Sequence, residues 1–480
     1  MVKVPGSTGL DNENSLKNGD DSVIDELNEL MYSYKKLIIM QKELEEKCFQ
    51  LEKIAYFDIL TGLPNWNVFL EKVHEHIENN YQDKMALFYI DLDDFKNINS
   101  VVGYKHADSF IIYIAHRFRD VLGENCFVCR SGADEFLILQ TGFTDKSEVE
   151  ETAAKITEVL DQPWIIGGRE FFVSTSGGIS IFPDDGEELV HLLREAEIAL
   201  NTVKSSNKGK FKFYESYMYE NLIRKTEIKE QLKGAIKNNE LYLQYQPQID
   251  VKSKKIVSME ALLRWKNKKL GLVSPGEFIS IAEETGLIVP IGEWVIKTAC
   301  IQNSEWKKRG YIYDFIAVNV SAIQLREDNF ADKVEEIILD TGIRPENLEL
   351  EITENVLMQT ADRNLKILKD IKKLGVRLGL DDFGTGYSSL SYLRSLPVNT
   401  LKIDKSFIDG LCISNNEEVI TQGIIELAHR MNLEVIAEGV EMESQLESLE
   451  GKKCNKIQGF LFGKPVFPED IEKSLIKYIE

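Results

Sequence analysis

Residues 376–390 read VRLGLDDFGTGYSSL, and two adjacent carboxylates, Asp381 and Asp382, stand where this apolar run gives way to a glycine-rich loop. Neighbouring residues of a strand point to opposite faces, so such a pair can serve one metal cluster only at a strand end, where the backbone bends. Hard carboxylate oxygens are ligands that Mg²⁺ and Mn²⁺ favour. The run therefore predicts a metal site, unless Asp382 only caps the next helix and Asp381 only begins a turn.

The same pattern recurs along the second half of the chain, which favours the metal site. Between residues 255 and 465, six short apolar runs each carry a polar residue near their C-terminal edge: KIVSMEALLRW with Glu260, FIAVNVSA with Asn319, LELEITE with Glu351, VRLGLDD with Asp381, TLKIDKSF with Lys402 and LEVIAEGVE with Glu438. Segments of helical periodicity separate most of them, for example residues 332–339, 364–373 and 417–431. This alternation predicts a (β/α)₈ barrel, whose active site opens at the C-terminal ends of the strands.

Seven motifs occur in order along residues 228–480: EALLRW at 260–265, NVS at 319–321, ELEIT at 349–353, DDFGTGYSSL at 381–390, LKIDKSF at 401–407, AEGVE at 437–441 and QGFLFGKP at 458–465. Over this part, the sequence resembles the EAL family of cyclic di-GMP phosphodiesterases. The resemblance implies a TIM-barrel-like domain that uses two ions, Mg²⁺ or Mn²⁺, to open cyclic di-GMP to linear pGpG. It also implies a homodimer, since the family usually pairs through the helix after DDFGTGYSSL.

The resemblance carries the family's site residues onto matching positions. The positions implied to hold the ions are Glu260, Asn319, Glu351 and Asp381, with Asp382 and Glu438 serving the second ion. The implied catalytic group is Lys402, which holds and activates the water, together with Glu260 and Glu438. The implied substrate-binding residues are Gln246, Arg264 and Gln458, the last of which also supports the site. The sequence departs from the family pattern at none of these positions.

The chemistry agrees with these roles without reference to the family. A phosphodiester is anionic and resists attack, so hydrolysis needs a nucleophile made at neutral pH and positive charge near the developing oxyanion, and two bridged metal ions supply both. Asp381, the first of the adjacent pair, is the natural bridge. Lys402 lies between Leu401 and Ile403, and we expect it to point into the mouth of the barrel. The guanidinium of Arg264 suits bidentate phosphate binding.

Length and composition limit the other possibilities. A chain of 480 residues is too long for one ordinary domain. The formal net charge of −22 argues against bulk nucleic-acid binding, so an anionic substrate must be captured by local metal ions and bases. No early apolar run is long enough to span a bilayer or to form a signal segment, and the six cysteines are scattered. We therefore expect a cytoplasmic protein.

The N-terminal part predicts two different segments. Residues 1–22 are rich in Gly, Asn, Asp and Ser, and we expect them to be disordered. Across residues 23–55 a seam recurs at alternating spacings of four and three: Val23, Leu27, Leu30, Tyr34, Leu37, Gln41, Leu44, Cys48, Leu51 and Ala55. This heptad pattern predicts a parallel coiled coil that joins two chains. The alternative is a single amphipathic helix lying on the chain's own domain.

Residues 56–216 predict a separate α+β domain. A helix near residues 65–79 leads into a strand at 86–90, and a helix at about 105–121 leads into a hairpin of residues 127–130 and 135–140. The motifs are DILTGLPN from Asp58, DLDDFKNIN from Asp91, RSGADEF from Arg130, and the single residues Asp108, Lys204 and Lys208. They resemble the GGDEF family of diguanylate cyclases.

Departures from that family's pattern argue against cyclase activity. Ala133 stands where the signature has its second glycine, and a methyl group there hinders the backbone geometry and close phosphate approach that glycine permits. The other departures are Ser100 for Asp, Tyr104 for His, Ala107 for Gly, Trp66 for Arg and Asn207 for Gly. The residues retained for GTP and one Mg²⁺ are Asp91, Asn99, Asp108, Asp134, Glu135 and Lys204. We interpret this domain as a degenerate, regulatory GTP-binding domain; the alternative is a scaffold that binds no nucleotide.

The predicted order is thus a disordered N-terminus (1–22), a coiled-coil helix (23–55), the degenerate GGDEF domain (56–216), a linker (217–228) and the EAL domain (229–480). Three functions remain open. A phosphodiesterase is favoured, because the acids and the DFGTGYSSL loop are all present. A receptor that binds cyclic di-GMP without cutting it would usually lack one of them. A bifunctional cyclase and phosphodiesterase is disfavoured by Ala133, Ser100 and Ala107.

Overall fold

The computed structural model describes residues 12–79, 83–166, 168–354, 356, 361–384, 393–413 and 415–479. The chain divides into two compact units, Met1–Leu222 and Ile223–Glu480. The division falls inside the helix Ser216–Leu232, which occupies the position of the predicted linker. Within the described ranges, no helix has both the length and the apolar character that crossing a membrane requires.

A single helix, Asn12–Tyr56, opens the first unit. It begins at Asn12, inside the segment 1–22 that the sequence predicts to be disordered; extending an existing helix costs far less than nucleating one, which lets polar residues join it. The described apolar residues of the predicted seam are 54–68% exposed: Leu27, Leu30, Tyr34, Leu37, Leu44 and Leu51. The alternative in which this face lies on the chain's own domain is therefore wrong for these residues.

The rest of the first unit consists of helices, a five-stranded sheet and, among the described residues, a separate two-stranded sheet formed by β4 and β5. Its strands are β1 (Met85–Leu92), β2 (Cys126–Gly132), β3 (Glu135–Thr141), β4 (Trp164–Ile166), β5 (Arg169–Phe171), β6 (Thr175–Phe182) and β7 (Phe211–Phe213). Its further helices are Trp66–Asn79, Phe95–Val102, Tyr104–Leu122, Lys146–Glu158 and Leu189–Ser206. Over the described residues five strands pair in the order β2-β3-β1-β6-β7. The almost wholly buried β1 lies at the centre, and its C-terminal end carries Asp91.

The second unit is a closed barrel. Its strands are β8 (Leu241–Asp250), β9 (Ile256–Asn267), β10 (Gly271–Val273), β11 (Phe315–Asn319), β12 (Leu348–Thr353), β13 (Arg377–Phe383), β14 (Thr400–Ile403), β15 (Glu434–Ala437) and β16 (Lys456–Ile457). Its helices are Pro275–Glu284, Ile288–Lys308, Ala322–Leu325, Phe330–Thr341, Ala361–Lys373, Lys405–Asp409, Asn415–Arg430, Glu443–Gly451 and Pro468–Ile479. The six strands predicted from the sequence all occur in it.

One strand departs from a regular (β/α)₈ barrel. Strands β9 and β11 to β16 pair in parallel, whereas β8 is antiparallel to both of its neighbours, β9 and β16, and closes the barrel between them. The cause is the connection: residues 251–255 join β8 to β9 by a turn, and parallel strands need a long crossover. Short β10 pairs only with β9, outside the closed ring, among the strands described.

Candidate functional site

The barrel strands bring the predicted polar residues together around one lysine. The Lys402 ammonium lies 2.6 Å from Glu438 Oε1, 2.9 Å from Glu351 Oε2, 3.3 Å from Asp381 Oδ1 and 3.4 Å from Glu260 Oε2. Its side chain is only 1% exposed. Four acidic side chains, three from strands β9, β12 and β13 and one just after β15, thus surround one cation where water is almost excluded. A surplus of negative charge in such a place is costly unless further cations join it.

The pKa values follow this crowding. Burial alone would lower the pKa of Lys402, but the surrounding carboxylates raise it well above its ordinary value. Burial raises the pKa of Glu351 well above its ordinary value despite Lys402, and it raises the pKa of Glu438 to about 8. Burial would also raise the pKa of Glu260, but Lys402 and hydrogen bonds from Gln458 and Asn319 lower it. The lysine is therefore charged, while the acids compete for too few cations.

The Asp381-Asp382 pair bends as a shared metal site requires. Strand β13 continues through both residues, and its pairing with β14 shifts register between Leu380 and Phe383. Asp382 has a φ of 54°, in the left-handed region. A bulge in the last residues of the strand, rather than its end, thus turns the second carboxylate toward the first. Ligand atoms of Asp381, Asp382 and Glu438 lie within 4.8 Å of one another.

The chemistry of these groups fits divalent cations. Carboxylate oxygens dominate the cluster, and Glu351 Oε1 is buried without a hydrogen-bond partner. Asn319 Nδ2 donates to Glu260 Oε1 at 2.6 Å, which leaves the amide oxygen of Asn319 as its ligand atom. Hard oxygen donors of this kind are what Mg²⁺ and Mn²⁺ bind.

One further residue near the Asp381-Asp382 pair, Glu354, was missed by the sequence analysis. Glu354 is buried, and its Oε2 accepts a hydrogen bond from the Gly384 backbone N–H at 2.9 Å. Gly384 has a φ of 100°, and a Cβ there would lie 2.6 Å from the ring of Phe407, so only glycine fits. The position of Glu354, three residues after Glu351 in one acidic run, was the available signal. Residues 385–392, with the helix predicted to form a dimer, lie outside the described residues.

The predicted substrate-binding residues occupy two neighbouring pockets of the barrel. Gln246 and Gln458 line a pocket of about 260 Å³ with Glu260 and Glu438. Arg264 lines another of about 250 Å³ with Asn319. Its guanidinium donates from Nε to Gln244 Oε1 at 2.8 Å and from Nη1 to the Leu263 carbonyl at 2.9 Å, so the group is held in one orientation.

A chain of buried amides also supports Glu260. Gln458 Nε2 donates to Glu260 Oε2 at 2.6 Å and to Gln246 Oε1 at 3.0 Å. Gln248 Nε2 donates to Gln458 Oε1 at 3.0 Å, and Ser258 Oγ donates to Gln248 Oε1 at 2.6 Å. Gln248 and Ser258 were missed by the sequence analysis; alternation along β8 and β9 places them two residues from Gln246 and Glu260, on the same strand faces.

In the first unit, the retained residues form a looser cluster. Lys204 Nζ lies 2.6 Å from Asp91 Oδ2, and the lysine side chain is 33% exposed. Asp91 pairs across the sheet with Glu135. Burial raises the pKa of Asp91, and Asp134 and Glu135 add to the rise while Lys204 opposes it. Among the described residues, only the barrel has three acids spaced closely enough to hold a metal ion, namely Asp381, Asp382 and Glu438. The described acids of the first unit are not grouped in this way.

The other predicted residues of this cluster differ in their surroundings. Asn99 Oδ1 is buried without a hydrogen-bond partner, whereas Asp108 is exposed on the helix Tyr104–Leu122. Ala133 has a φ of 41°, a left-handed conformation that costs an alanine more than a glycine. Arg130 holds this turn through hydrogen bonds from Nε and Nη2 to the Ala133 carbonyl. The backbone thus keeps the shape that the missing glycine would adopt without strain.

Comparison with known proteins gives two matching family models. Residues 229–465 match the EAL domain, and residues 55–210 match the diguanylate cyclase, GGDEF domain. The chain is 36% identical over 428 residues to the bifunctional diguanylate cyclase/cyclic di-GMP phosphodiesterase MucR of Pseudomonas aeruginosa, which covers 89% of this chain and 62% of that protein. It is 34% identical over 438 residues to the cyclic di-GMP phosphodiesterase NbdA of the same species, covering 91% of this chain and 56% of that protein.

A solved structure agrees with the barrel. The PaMucR phosphodiesterase in its c-di-GMP complex matches with a TM-score of 0.50 and 42% identity, over 51% of this chain and 99% of that one. The chain spans between about half and two thirds of the length of the curated relatives it matches.

Proposed function

The chain belongs to the EAL family and carries a GGDEF domain in tandem ahead of the barrel, and from this premise we propose that it is a metal-dependent phosphodiesterase that hydrolyses cyclic di-GMP to linear pGpG. The observation that carries the proposal is the convergence of four acidic side chains on the buried ammonium of Lys402. The names of similar proteins supply the substrate. The geometry supplies the reason to expect cleavage rather than binding alone.

The residues that would hold the ions are those whose oxygens gather at the rim. They are Glu260, Asn319, Glu351 and Asp381 for one ion, with Asp382 and Glu438 serving the second. Two Mg²⁺ or Mn²⁺ ions bound there would make water a nucleophile at neutral pH and offset the charge of the phosphodiester.

The protein's own groups then direct the reaction. Lys402 orients the attacking water and places a fixed positive charge beside the phosphate, where exclusion of solvent strengthens its effect. Water adds to one phosphorus of the ring, the P–O3′ bond breaks, and the leaving oxygen takes up a proton. Arg264, held by Gln244 and the Leu263 carbonyl, binds substrate through its guanidinium, and Gln246 and Gln458 line the adjoining pocket.

The test is product analysis with the purified chain. Cyclic di-GMP is incubated with Mg²⁺, with Mn²⁺ and with EDTA, and the products are separated and weighed by mass spectrometry. We expect pGpG with either metal and none with EDTA. Binding of cyclic di-GMP without cleavage would instead make the barrel a receptor. A parallel incubation with GTP and Mg²⁺ tests the bifunctional alternative, for which cyclic di-GMP would be the product.

We further propose that the degenerate GGDEF domain binds GTP with Mg²⁺ and regulates the barrel. The supporting observations are the retained pair of Asp91 and Lys204, the unpartnered amide oxygen of Asn99, and the strained turn at Ala133. Together they favour a site that keeps ligands for a nucleotide while its catalytic geometry is damaged. A continuous helix, Ser216–Leu232, joins the two units, and a helical linker transmits a change of domain orientation better than a flexible one.

Linkage makes this second proposal testable. If GTP changes the affinity for cyclic di-GMP, then cyclic di-GMP must change the affinity for GTP by the same factor. The experiment measures hydrolysis at subsaturating substrate against GTP concentration, with Asp134→Ala as the variant that should lose the effect. GTP that binds without changing either the rate or the affinity for a substrate analogue would leave the domain as a scaffold.

We also propose that the exposed seam of the helix Asn12–Tyr56 joins two chains in a parallel coiled coil. Apolar side chains at heptad spacing rarely stay exposed along a helix of this length. Cys48 occupies a seam position, so a parallel pair in register would bring the two copies of its thiol together. Light scattering should give a dimer, and mild oxidation should link the chains through Cys48; Leu30→Glu with Leu37→Glu should abolish the cross-link, even if the barrels still pair.

A further inference from the structure

Gln248 and Ser258 do not hydrogen-bond to a proposed metal ligand directly: Gln248 reaches Glu260 through Gln458, and Ser258 reaches it through Gln248 and Gln458. Gln248 pairs with Ser258, and Gln246 with Glu260, as opposed positions two residues apart on the antiparallel strands β8 and β9. Residues two apart share a strand face, so the four side chains form one layered set. Gln458 follows β16, which pairs with β8 on its other side. All these side chains are buried.

The direction of the hydrogen bonds from Glu260 to Ser258 is determined at the Glu260 end, because a serine hydroxyl can either donate or accept. The Glu260 carboxylate can only accept, so Gln458 must present its NH₂ group to it. The carbonyl oxygen of Gln458 then needs a donor, which is the NH₂ group of Gln248. The carbonyl of Gln248 in turn needs a donor, which is the hydroxyl of Ser258. A reversed amide at Gln248 would place two carbonyl oxygens against each other.

We propose that Gln248 and Ser258 are positioning residues that lock the Gln458 amide with its NH₂ group toward Glu260, and thereby fix Glu260 as a ligand for a divalent cation. The inference rests on the proposed function in that Glu260 is taken as a metal ligand. With Asn319 on Oε1 and Gln458 on Oε2, both oxygens of Glu260 are oriented. Loss of the Gln248 donor leaves the buried side-chain carbonyl of Gln458 without a hydrogen-bond partner. The Gln458 side chain then turns to find another donor.

The test uses Gln248→Met, which keeps the length and volume of the side chain and removes both hydrogen bonds. Calorimetric titration of the metal-free full chain with Mn²⁺, without substrate, is the main measurement. We expect the Mn²⁺ affinity to fall roughly tenfold or more, as is typical when a residue that orients a metal ligand is lost. Ser258→Ala should lower it by a smaller factor, because it removes only the last donor of the set.

The double variant tests whether the two residues form one unit. If Ser258 acts only through Gln248, adding Ser258→Ala to Gln248→Met should cause no further loss of Mn²⁺ affinity. In hydrolysis assays, the half-saturating Mn²⁺ concentration should rise in step, while KM for cyclic di-GMP at saturating Mn²⁺ stays within about twofold of the wild type.

A matched control separates positioning from general damage to the barrel. Tyr313→Phe removes another buried hydrogen bond in the same unit, from Tyr313 Oη to Asn303 Oδ1 at 2.7 Å. It should lower the melting temperature and leave the Mn²⁺ affinity unchanged. If the control loses as much affinity as Gln248→Met, the effect is structural and the proposal is wrong.

Two other results would overturn the proposal. One is unchanged Mn²⁺ affinity in folded Gln248→Met and Ser258→Ala; should the methionine variant fail to fold, Ser258→Ala alone decides. The other is an additive loss in the double variant, which would mean that the two residues do not share one chain of hydrogen bonds. A wild-type chain that binds Mn²⁺ but cleaves no cyclic di-GMP would contradict the proposed function instead, because the titration needs no substrate.

Discussion

The two units each place a lysine against acids at the C-terminal ends of strands, but they balance charge in different ways. In the barrel, Lys402 is 1% exposed and faces four acidic side chains. In the first unit, Lys204 is 33% exposed and pairs with Asp91. Solvent screens the second pair and hardly reaches the first. The barrel therefore needs additional cations to be stable with its acids ionised, whereas the first unit does not.

The comparison also shows that an acidic motif does not by itself predict a metal site, because the role of each carboxylate depends on the groups that surround it. Asp93 lies in an Asp-x-Asp motif at the end of β1, but its oxygens accept hydrogen bonds from Ser174, Ser176 and the Gly209 backbone. Those contacts make it a structural residue. Asp381 and Asp382 follow a similar apolar run, yet the bulge in β13 turns them toward Glu438. An aspartate thus stabilises the local fold in the first unit, whereas the aspartates of the barrel are placed where they can bind a cation.

The largest expected effect compares matched substitutions in the two clusters. Asp381→Asn should lower the rate of cyclic di-GMP hydrolysis roughly a thousandfold or more, since it removes a ligand charge where charge stabilisation matters most. Asp91→Asn, the same change in the first unit, should leave hydrolysis without GTP within about twofold. Glu260→Ala should behave like Asp381→Asn. The assay is initial rate at saturating Mg²⁺ with circular dichroism as the check on folding.

This comparison fails if Asp91→Asn also abolishes hydrolysis. In that case the first unit would be part of the catalytic assembly rather than a regulator. Near-normal turnover in folded Asp381→Asn, with metal content unchanged, would contradict the assignment of the site to the barrel rim.

A second expected effect is a pH dependence of stability that metal removes. Burial raises the pKa of Glu438 from 4.5 to about 8 in the folded chain. A raised folded-state pKa contributes stability that is complete below the unfolded pKa and is lost as the pH rises through the folded value. Without metal, the chain should therefore lose stability between about pH 4.5 and pH 8, by up to about 1.4 kcal/mol per pH unit for one proton.

Denaturant unfolding of the full chain at several pH values, with EDTA and with Mg²⁺, measures this dependence. Mg²⁺ should flatten the profile, because a bound cation favours the ionised carboxylates at every pH. Glu438→Gln in EDTA is the control and should have a shallower slope than the wild type. Equal slopes in EDTA for the two chains would show that Glu438 does not titrate in this range.

Much of this site was predictable from the sequence, because the motifs fix which residue ends which strand. The side chains of Asp381 and Glu438 both lie against the ammonium of Lys402, and their roles as metal ligands stay a prediction. The orientation of the amides of Gln248 and Gln458 was not predictable, because it depends on hydrogen bonds between residues about two hundred positions apart. The antiparallel β8 was not predicted for a different reason: a regular (β/α)₈ barrel has helical crossovers between its strands, whereas residues 251–255 join β8 to β9 by a short turn.

A third, smaller effect is expected from restoring the missing glycine of the first unit. Ala133 has a φ of 41°, so Ala133→Gly should raise the free energy of unfolding by roughly 0.5–1 kcal/mol, the relief of left-handed strain less the entropy that glycine loses. It should not restore synthesis of cyclic di-GMP from GTP, because Ser100, Tyr104 and Ala107 remain. Chemical denaturation measures the change in the free energy of unfolding, and product analysis after incubation with GTP tests for synthesis of cyclic di-GMP. Cyclic di-GMP made by this single variant would contradict the interpretation of the domain as degenerate.

The smallest expected effect concerns Lys208, the most exposed lysine of the comparison. Its ammonium lies 2.9 Å from Asp94 Oδ2, but the two side chains are 46% and 58% exposed, so solvent and salt screen the pair. Lys208→Met should change the free energy of unfolding by less than about 0.5 kcal/mol. If the first unit binds GTP, the same variant should still weaken that binding severalfold, because an exposed cation that contributes little to the fold remains available to a phosphate. Denaturant unfolding and GTP titration of one protein preparation measure both quantities. A large loss of stability would mean that exposure does not separate the lysines of the two units, and an unchanged GTP affinity would place the phosphates away from Lys208.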